Sequence, residues 1–441
     1  MPTIAYHTLG CKVNQYDTQA MEEILEKAGF QTVPFSDRAD VYLINTCTVT
    51  GTGDKKSLQM VRRIRRLYPE SRIVLCGCMA QLYGEELLAG TGADLIIGTQ
   101  HRTAVAELLQ KVIDSGKPVC AVEPMPDHLC FEGLTVSRQN ERTRAVVKIQ
   151  EGCDNRCTYC IIPRVRGPIR SRPLEDIRKE IRRLSDSGFC EIVLTGIHLT
   201  SYGRDLDRSV NLNDVVDAVQ QQDGIIRVRL GSLEPVVVTP EFAERLRNDS
   251  KICPQFHLAL QSGSDSVLRR MKRRYNTSQY LKAVDNIREV FPHAAITTDI
   301  LTGFPGETDE EFRETAGMIE KVGFSRIHVF PYSSRPFTPA AEMPGQLTET
   351  EKQRRCRELI AVGEKTALAY SRSWVGQAAE LIPEEKVKDA WEGYTPEYLR
   401  VRLRPEDECI GGHPVRIRIN TAEQPVLTGE KIEKEGKKEN G

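Results

Sequence analysis

The stretch EGCDNRCTYC, residues 151–160, carries three cysteines in a C-x3-C-x2-C pattern. It directly follows Ala145–Gln150, a run that is typical of a buried strand. Three thiolates at this spacing suit a metal ion or a cluster. Structural zinc normally takes four protein ligands, and no fourth Cys or His lies in this loop. A 4Fe–4S cluster also normally takes four thiolates, so three would leave one iron open. Buried structural cysteines remain the other alternative.

That strand opens an alternation of strand and helix patterns over residues 144–372. The six strand candidates are Ala145–Gln150, Glu191–Thr195, Arg227–Leu230, Phe256–Leu260, Ala295–Leu301 and Arg326–Phe330. Such alternation predicts a parallel sheet covered by helices. Six units are fewer than the eight of a closed β/α barrel, so we expect an open barrel with a lateral mouth.

A similar alternation fills residues 1–115 and predicts an N-terminal α/β domain with a parallel sheet. Its strand candidates are Ile4–Leu9, Val41–Asn45, Ile73–Cys76 and Leu95–Ile97, with helical patterns near 15–29, 55–68, 80–89 and 102–114. The remaining segments are a proline-containing linker at 116–143, a small β unit at 373–432 and a charged tail at 433–441. The fold class expected for the whole chain is therefore α/β.

A second group of cysteines lies in the N-terminal region. Cys11, Cys47 and Cys78 each come at the carboxyl end of a strand candidate, where parallel sheets gather their ligands. The three are far apart in sequence but could converge on one site. Isolated buried cysteines are the alternative. Cys76 lies within a strand candidate and is expected to be part of the core.

Composition narrows the function classes. The chain has 441 residues, of which 61 are basic and 62 are acidic. The net charge is therefore close to zero and does not point to any particular class of partner. No stretch approaches the ~18 apolar residues of a membrane span, and the N-terminus lacks a secretion pattern. We therefore expect a cytoplasmic protein without a membrane partner. In that reducing compartment, the 13 cysteines, an odd number, are expected to be metal ligands, catalytic groups or buried structural residues rather than a disulfide framework.

The cysteine motif, with Tyr159 just before its last cysteine, resembles that of radical S-adenosylmethionine (SAM) enzymes. In that superfamily the open iron binds SAM, and one electron splits SAM to a 5′-deoxyadenosyl radical. The motifs TLGCKVNQYD, INTCTVT, GCMAQ, EGCDNRCTYC and GFPGET together resemble the methylthiotransferase branch, along essentially the whole chain. The resemblance implies two 4Fe–4S clusters. Cys153, Cys157 and Cys160 would hold the radical SAM cluster, and Cys11, Cys47 and Cys78 an auxiliary cluster that carries the inserted sulfur.

Within the branch, TLGCKVNQYD and GSLEP most resemble the subgroup that acts on N6-threonylcarbamoyladenosine in tRNA. The product would be the 2-methylthio derivative. The alternatives are methylthiotransferases of isopentenyladenosine in tRNA or of a ribosomal protein aspartate. A non-enzymatic rival is a two-cluster electron-transfer or RNA-binding protein. The implied partners are tRNA, an external electron donor and a sulfur source.

The resemblance places SAM at the barrel rim, just past the strand ends. The expected cofactor-binding residues are Tyr159, Gly196, Ser232, Glu234, Gln261, Ser262, Asp299 and Gly303. Their alternative roles are loop hydrogen bonding, helix capping and, for the glycines, tight turns. For the threonylcarbamoyl group, whose carboxylate needs a cation or donors, the candidates are Arg335, His198 and Arg204.

Basic residues are clumped in three places: Lys55–Arg66, the RRMKRRY stretch at 269–275, and the segment that carries Arg164, Arg166, Arg170 and Arg172. Each could simply be a solvated face, but together they favour a polyanionic substrate. Arg62, Arg63 and Arg66 are the candidates for contacts with the tRNA backbone. The C-terminal unit, which contains GYTPEYLRVRL, resembles the small β-barrel RNA-binding module of this family.

Overall fold

The computed structural model describes residues 1–137, 143–206, 210–423 and 426–432, so the expected charged tail at 433–441 lies outside the described residues. The N-terminal sheet has six parallel strands in the order β2-β1-β3-β4-β5-β6. Its strands are β1 Thr3–Thr8, β2 Gln31–Thr32, β3 Val41–Thr46, β4 Arg72–Gly77, β5 Leu95–Ile97 and β6 Val119–Ala121. Its helices are α1 Lys12–Lys27, α2 Gly51–Leu67, α3 Cys78–Thr91 and α4 Val105–Ser115.

Burial explains the order of these elements. Every residue of β3 is buried, as expected for a central parallel strand that is covered on both faces. β1, β3 and β4 are neighbours in the sheet and run in the same direction. The chain segments after them therefore meet at one edge; the first two carry Cys11 and Cys47, and Cys78 is the first residue of α3.

The middle of the chain forms the open barrel expected from the sequence. Its strands are β7 Arg144–Glu151, β8 Arg170–Ser171, β9 Glu191–Gly196, β10 Arg227–Leu230, β11 Ser232–Leu233, β12 Gln255–Leu258, β13 Ala295–Thr302 and β14 Arg326–Pro331. Its helices are α5 Ile162–Arg166, α6 Leu174–Asp186, α7 Leu212–Gln220, α8 Pro240–Arg247, α9 Asp265–Arg270, α10 Thr277–Val290, α11 Asp309–Val322 and α12 Glu349–Arg372. All six strand candidates of this region form strands.

Two four-stranded sheets make up this barrel, β10-β9-β7-β8 and β11-β12-β13-β14, and a bridge between Val228 and Ile252 links them. The pairs that join β7, β9 and β10, and those that join β12, β13 and β14, are parallel. One large apolar core lies between these strands and the outer helices. The parallel-sheet N-terminal region and the six-unit open barrel thus confirm the α/β fold class.

The C-terminal strands close into a small barrel that docks on the open barrel. They are β15 Ala378–Val387, β16 Ala390–Tyr394, β17 Arg400–Arg402, β18 Val415–Thr421 and β19 Leu427–Lys431. Arg227 donates to the carboxylate of Glu380 at 2.8 Å, and Arg229 donates to the carbonyl of Pro396 at 2.8 Å. Both arginines are almost fully buried, because the C-terminal barrel covers them.

A buried ionic network joins the N-terminal sheet to the open barrel. Asp17 on α1 pairs with Arg102, with Lys148 on β7 and with Arg166 on α5, and Glu151 at the end of β7 pairs with the same three cations. All five side chains are at most 2% exposed. Charges this deeply buried are tolerated only when they are paired, so the two halves must stay together.

The segment expected to be a linker, residues 116–143, differs from that expectation. It begins with β6, which pairs with β5 and completes the N-terminal sheet. Farther along, Leu134 and Val136 are buried against Tyr16 of α1. β6 is only three residues long, all three are half-buried, and prolines lie nearby. Its strand signal is therefore weak, which explains why the sequence pattern does not reveal it.

Candidate active site

The first cysteine group, the N-terminal thiol site, consists of Cys11, Cys47 and Cys78. Gly10, with φ +102°, brings the loop after β1 against the loop after β3. A Cβ atom on Gly10 would lie 3.0 Å from Cys47 Cβ and 3.2 Å from its Sγ, so only glycine fits there. The loops that carry Cys11 and Cys47 are therefore in close contact, and the convergence of all three cysteines stays a prediction.

Two thiols of this site have a raised pKa. Burial, together with the charges of Cys78 and Cys11, raises the pKa of Cys47 to about 12. Burial also raises the pKa of Cys78, and the Arg166 guanidinium opposes that shift. Arg166 Nε donates to Cys78 Sγ at 3.3 Å. Cys47 and Cys78 therefore favour their protonated form unless a positive group stabilises their thiolates.

The second group, the barrel thiol site, consists of Cys153, Cys157 and Cys160 on the loop after β7. The loop is fixed by its backbone: the N–H of Cys153 donates to the carbonyl of Gly167, and that of Cys160 to the carbonyl of Cys157. Burial raises the pKa of Cys160 to about 12, and the charges of the other two thiols act in the same direction. The charges of the three thiols thus influence one another within this short loop.

A polar cluster lies beside the barrel thiol site. Arg273 Nη1 donates to Cys157 Sγ at 3.2 Å, and its Nη2 binds both carboxylate oxygens of Glu234, at 2.7 and 2.9 Å. His198 Nε2 lies 3.7 Å from the Glu234 carboxylate and 3.3 Å from Asn155 Nδ2. Glu234 and His198, both singled out from the sequence, are thus brought together next to the cysteine loop.

Each thiol site offers three sulfur ligands. Across the described ranges, no three His, Cys, Asp or Glu side chains are close enough to hold one metal ion. A 4Fe–4S cluster binds each thiolate through a different iron, so its ligands are farther apart. Three thiols per site would hold three irons of such a cluster and leave the fourth iron open, and one arginine in each site is directed at a sulfur.

Three rim residues expected to contact SAM have backbone roles. A Cβ atom on Gly196 would lie 2.9 Å from Gln150 Oε1, so a side chain is excluded at the end of β9. Gln261 has φ +65° and continues the sheet through backbone bonds to Asp299 and Leu301. The N–H of Gly303 donates to the Glu307 carboxylate at 2.7 Å, which fixes a tight turn.

The other four rim candidates differ in exposure. Ser232 is exposed, and Asp299 is 39% exposed with its carboxylate 3.4 Å from His257 Nε2. Tyr159 packs against an apolar group that includes Tyr332. Ser262 is fully buried, and its hydroxyl is bonded to Thr315 and to the N–H of Ser264, so the surrounding loop already uses it.

The lumen of the barrel is polar on its last strands. On β14, Ile327 and Val329 pack on the helix side, so the alternate residues face the lumen. Among these, His328 lies near the charges of Asp299 and His257, and Phe330 is partly exposed beside it.

The three residues expected to meet the threonylcarbamoyl group lie apart. Arg335, on the loop after β14, is buried, pairs with Asp54 on α2 and donates to Thr48 Oγ1 at 2.7 Å. It therefore lies next to Cys47. His198 belongs to the Glu234 cluster beside the barrel thiol site, and Arg204 is exposed after β9.

The basic clumps divide into exposed and buried members. Arg62, Arg63 and Arg66 are exposed on α2, as a contact with a polyanion requires. The interpretation as a substrate contact is wrong for three arginines after the cysteine loop, because each is at most 2% exposed and is paired internally: Arg166, Arg170 and Arg172.

Sequence reasoning misses two residues of the site. Arg273 belongs by sequence to the basic stretch 269–275, yet it is held inside by Glu234 and Cys157. Gln150 accepts the N–H of His198 at 2.7 Å and so fixes the loop after β9. The residue in the sequence that could have indicated the position of Arg273 is Tyr275, two positions later. Tyr275 is buried, and the Arg273 guanidinium lies over its ring.

Comparison with solved structures shows the same architecture. The chain resembles the radical S-adenosylmethionine methyltransferase TsrM from Kitasatospora setae with a TM-score of 0.57 at 15% identity, over 77% of each chain. The cobalamin-dependent S-adenosylmethionine radical enzyme OxsB aligns with a TM-score of 0.53 at 12% identity, over 85% of this chain and 60% of OxsB. At these identities, the likeness concerns the fold alone.

Sequence comparison identifies the family. Residues 147–319 match the Radical SAM superfamily, and residues 3–98 match Uncharacterized protein family UPF0004. Threonylcarbamoyladenosine tRNA methylthiotransferase MtaB of Bacillus subtilis is 40% identical over 98% of this chain and 96% of its own; the Thermotoga maritima protein of that name is 35% identical over 97% of both. A tRNA-2-methylthio-N(6)-dimethylallyladenosine synthase of Pelotomaculum thermopropionicum is 37% identical over 95% of both. The chain therefore belongs to the radical SAM methylthiotransferase family.

Proposed function

We propose that the protein adds a methylthio group to carbon 2 of N6-threonylcarbamoyladenosine beside the anticodon of tRNA. The observation that carries this proposal is the junction of the two thiol sites through α5. This helix begins just after Cys160, and its last residue, Arg166, donates to Cys78. Radical formation and sulfur insertion must act on one base, and a five-residue helix links the two sites here.

Six cysteines would hold the two clusters, with Cys153, Cys157 and Cys160 on the SAM-binding side. When bound, the clusters and SAM supply the electron, the radical and the sulfur. Arg273, fixed by Glu234, holds positive charge beside Cys157, and Gly196 lets β9 end in close contact with Gln150. Buried Arg166 orients the N-terminal thiol site against the barrel.

The choice of nucleotide is supported by two MtaB relatives and by the chemistry of Arg335. The threonylcarbamoyl group has a carboxylate and a hydroxyl, which need donors, whereas an isopentenyl tail needs an apolar pocket. The Nε–H of Arg335 is buried and has no hydrogen-bond partner among the described residues. Arg335 binds Thr48, the residue after Cys47, so it is our candidate for the partner of the threonylcarbamoyl carboxylate.

The reaction also consumes electrons and sulfur, which the two clusters would pass on but would not generate. We propose an external electron donor and a separate sulfur source. The tRNA substrate and the thirteen unpaired cysteines favour a cytoplasmic location. No helix in the described part of the chain is both long and apolar enough to cross a membrane.

The test uses the reconstituted full-length protein, SAM, a sulfide source and a chemical reductant. Anticodon stem-loops carry adenosine, isopentenyladenosine or threonylcarbamoyladenosine, and nucleosides are analysed by mass spectrometry. Only the threonylcarbamoyl substrate should gain a methylthio group. Arg335→Ala should lower that turnover well beyond its effect on tRNA binding, whereas Asp54→Asn, which removes its ion-pair partner but leaves the guanidinium, should not.

Efficient methylthiolation of isopentenyladenosine would assign the other tRNA substrate and leave the chemistry intact. Release of 5′-deoxyadenosine with no product from any stem-loop would contradict a tRNA substrate.

A further inference from the structure

Phe337 lies in an unusual position on the loop after β14. Its side chain is 64% exposed, and its backbone has φ +67°, a left-handed conformation that a bulky residue rarely adopts. Exposure of a large apolar ring and this backbone strain both cost free energy. Strained residues of this kind concentrate at ligand-binding sites.

The loop holds Phe337 firmly on both sides. Pro336 precedes it, and the buried Arg335 anchors that side through Thr48 and Asp54. On the other side, the Thr338 hydroxyl donates to the carbonyl of Arg335 at 2.7 Å, and the N–H of Ala340 donates to the carbonyl of Thr158 in the cysteine loop. The exposed ring is therefore preorganised, which reduces the entropy cost when a ligand binds.

An arginine covers one face of this ring. The guanidinium carbon of Arg164 lies 4.0 Å from the ring centroid of Phe337. Arg164 is exposed on α5, while the opposite side of α5 packs on Cys78 through Ile161 and Val165. The ring is still 64% exposed with the guanidinium in place, so its other face is open.

These contacts place the pair between the two thiol sites. Arg164 follows Cys160 by four residues, and Phe337 follows Arg335, which binds Thr48 beside Cys47. We expect the neighbours of a nucleotide whose base reaches both sites to pass close to this pair.

We propose that Phe337 and Arg164 form a stacking platform for an unpaired nucleobase of the anticodon loop, next to the base that is modified. This inference rests on the proposed function. Single-stranded bases are recognised by stacking on aromatic rings and guanidinium planes, which tolerates any base because each has a π-face. A ring with one face on an arginine and the other open provides such a surface. The positive charge also suits the adjacent phosphates.

The test measures binding and stacking separately. Reconstituted full-length protein is titrated with a threonylcarbamoyladenosine stem-loop that carries 2-aminopurine on either side of the modified base. Fluorescence of this base falls when it stacks. Phe337→Ala and Phe337→Leu should each weaken binding by about 5- to 100-fold, with loss of the quenching, whereas Phe337→Tyr should retain both. Arg313→Ala, at an exposed arginine on the outer helix α11, is the control.

The leucine variant distinguishes stacking from simple apolar contact, because it keeps apolar bulk and loses the π-face. Equal affinity of Phe337→Leu and wild type would overturn the proposal, as would wild-type binding without quenching at either position. Capture of a protein partner by this surface, with RNA affinity unchanged in Phe337→Ala, would also overturn it. Methylthiolation of the same stem-loop by the wild-type protein is measured separately. If it occurs while the binding results contradict the stacking platform, the proposed function stands and only the platform is refuted.

Discussion

At the scale of single residues, two buried arginines mark the thiol sites. Arg166 donates to Cys78 and Arg273 donates to Cys157, and carboxylates hold both guanidinium groups in place. Hydrogen bonds to the sulfurs are among the factors that set the reduction potential of an iron–sulfur cluster. Each arginine is thus positioned both to stabilise thiolates and to adjust the potential of its own site.

Arg166→Met should affect stability and potential together. It removes one cation from a buried network, which typically costs about 3–5 kcal/mol of unfolding free energy. Loss of the N–H donor to Cys78 should also make the potential of the auxiliary cluster more negative. Denaturant unfolding measures the first effect. EPR-monitored redox titration, in a background without Cys153, Cys157 and Cys160, measures the second. Unchanged values for both would show that Arg166 only fills space.

Asp249 should make stability depend on pH. Burial raises the pKa of its carboxyl group to about 6, against an unfolded value near 4. The folded state then binds the proton more tightly, so this contribution is complete below about pH 4 and disappears as pH rises through 6. Asp249→Asn should therefore be about 1–2 kcal/mol more stable than wild type at pH 7 and equally stable near pH 4. Denaturant unfolding of the two proteins across that range checks the sign.

At the scale of elements, α2 connects the site to a basic surface. Thr50 caps its start just after Cys47, its first N–H donates to Ser333 Oγ at 2.9 Å, and its far half exposes Arg62, Arg63 and Arg66. At 1.5 Å per residue, these arginines lie about 17–23 Å from the start of the helix. That distance suits contacts with the tRNA backbone away from the modified base.

Reversal of Arg62, Arg63 and Arg66 to glutamate should weaken tRNA binding most at low salt. For each phosphate that is no longer neutralised, the slope of log affinity against log salt should fall by about 0.7–0.9. Binding is measured over a series of salt concentrations. Reversal of Arg182 and Arg183, which are exposed on the outer helix α6, is the matched control. An unchanged slope in the α2 variant would show that this face is only solvated.

The sequence pattern predicts elements whose side chains bury locally and misses contacts that depend on distant partners. Apolar runs such as Val41–Thr46 identify the central strands, and the cysteines at strand ends follow from parallel topology. Arg166 and Arg273 resemble surface charges in the sequence, because the carboxylates that bury them come from other elements. β6 gives too weak a signal, and it is held mainly by its pairing with β5.

At the scale of the whole molecule, three parts are joined by buried charge. The N-terminal sheet meets the open barrel through Asp17 and Glu151, and the C-terminal barrel covers Arg227 and Arg229. These junctions contain buried charges, so separation of the parts would leave unpaired charges that had been buried. The parts are therefore expected to behave as one cooperative unit.

Cysteine variants should separate the two clusters. The reconstituted protein should hold about eight irons per chain, and alanine at Cys153, Cys157 and Cys160 should leave about four with no 5′-deoxyadenosine. Alanine at the N-terminal thiol site should also leave about four, with 5′-deoxyadenosine retained but no methylthiolated product. Cys76→Ala is the control, because Cys76 is a fully buried strand residue two positions before Cys78. SAM cleavage by the first variant would refute the assignment of the radical site.

Removal of the C-terminal barrel should destabilise the rest. A chain that ends at residue 372 exposes Arg227 and Arg229, which then lack Glu380 and several backbone carbonyl partners. We expect a lower melting temperature and aggregation, measured by thermal unfolding and size-exclusion chromatography. Glu380→Gln, at a half-exposed carboxylate, should cost at most about 1 kcal/mol. A truncated chain as stable as the full one would show that the barrel is an independent module.

The ionic junction around Asp17 also has a consequence for how the protein is made. Asp17 leaves the ribosome early, but its partner Arg166 follows 149 positions later. At ~5–20 residues per second, that delay is about 7–30 seconds. During this time Arg102 is synthesised, whereas the cations at 148 and 166 come last. If a cluster were loaded at the N-terminal thiol site on the nascent chain, the cations at 148 and 166 that stabilise the junction beside this site would not yet be present. We therefore expect this cluster to be loaded late, after translation.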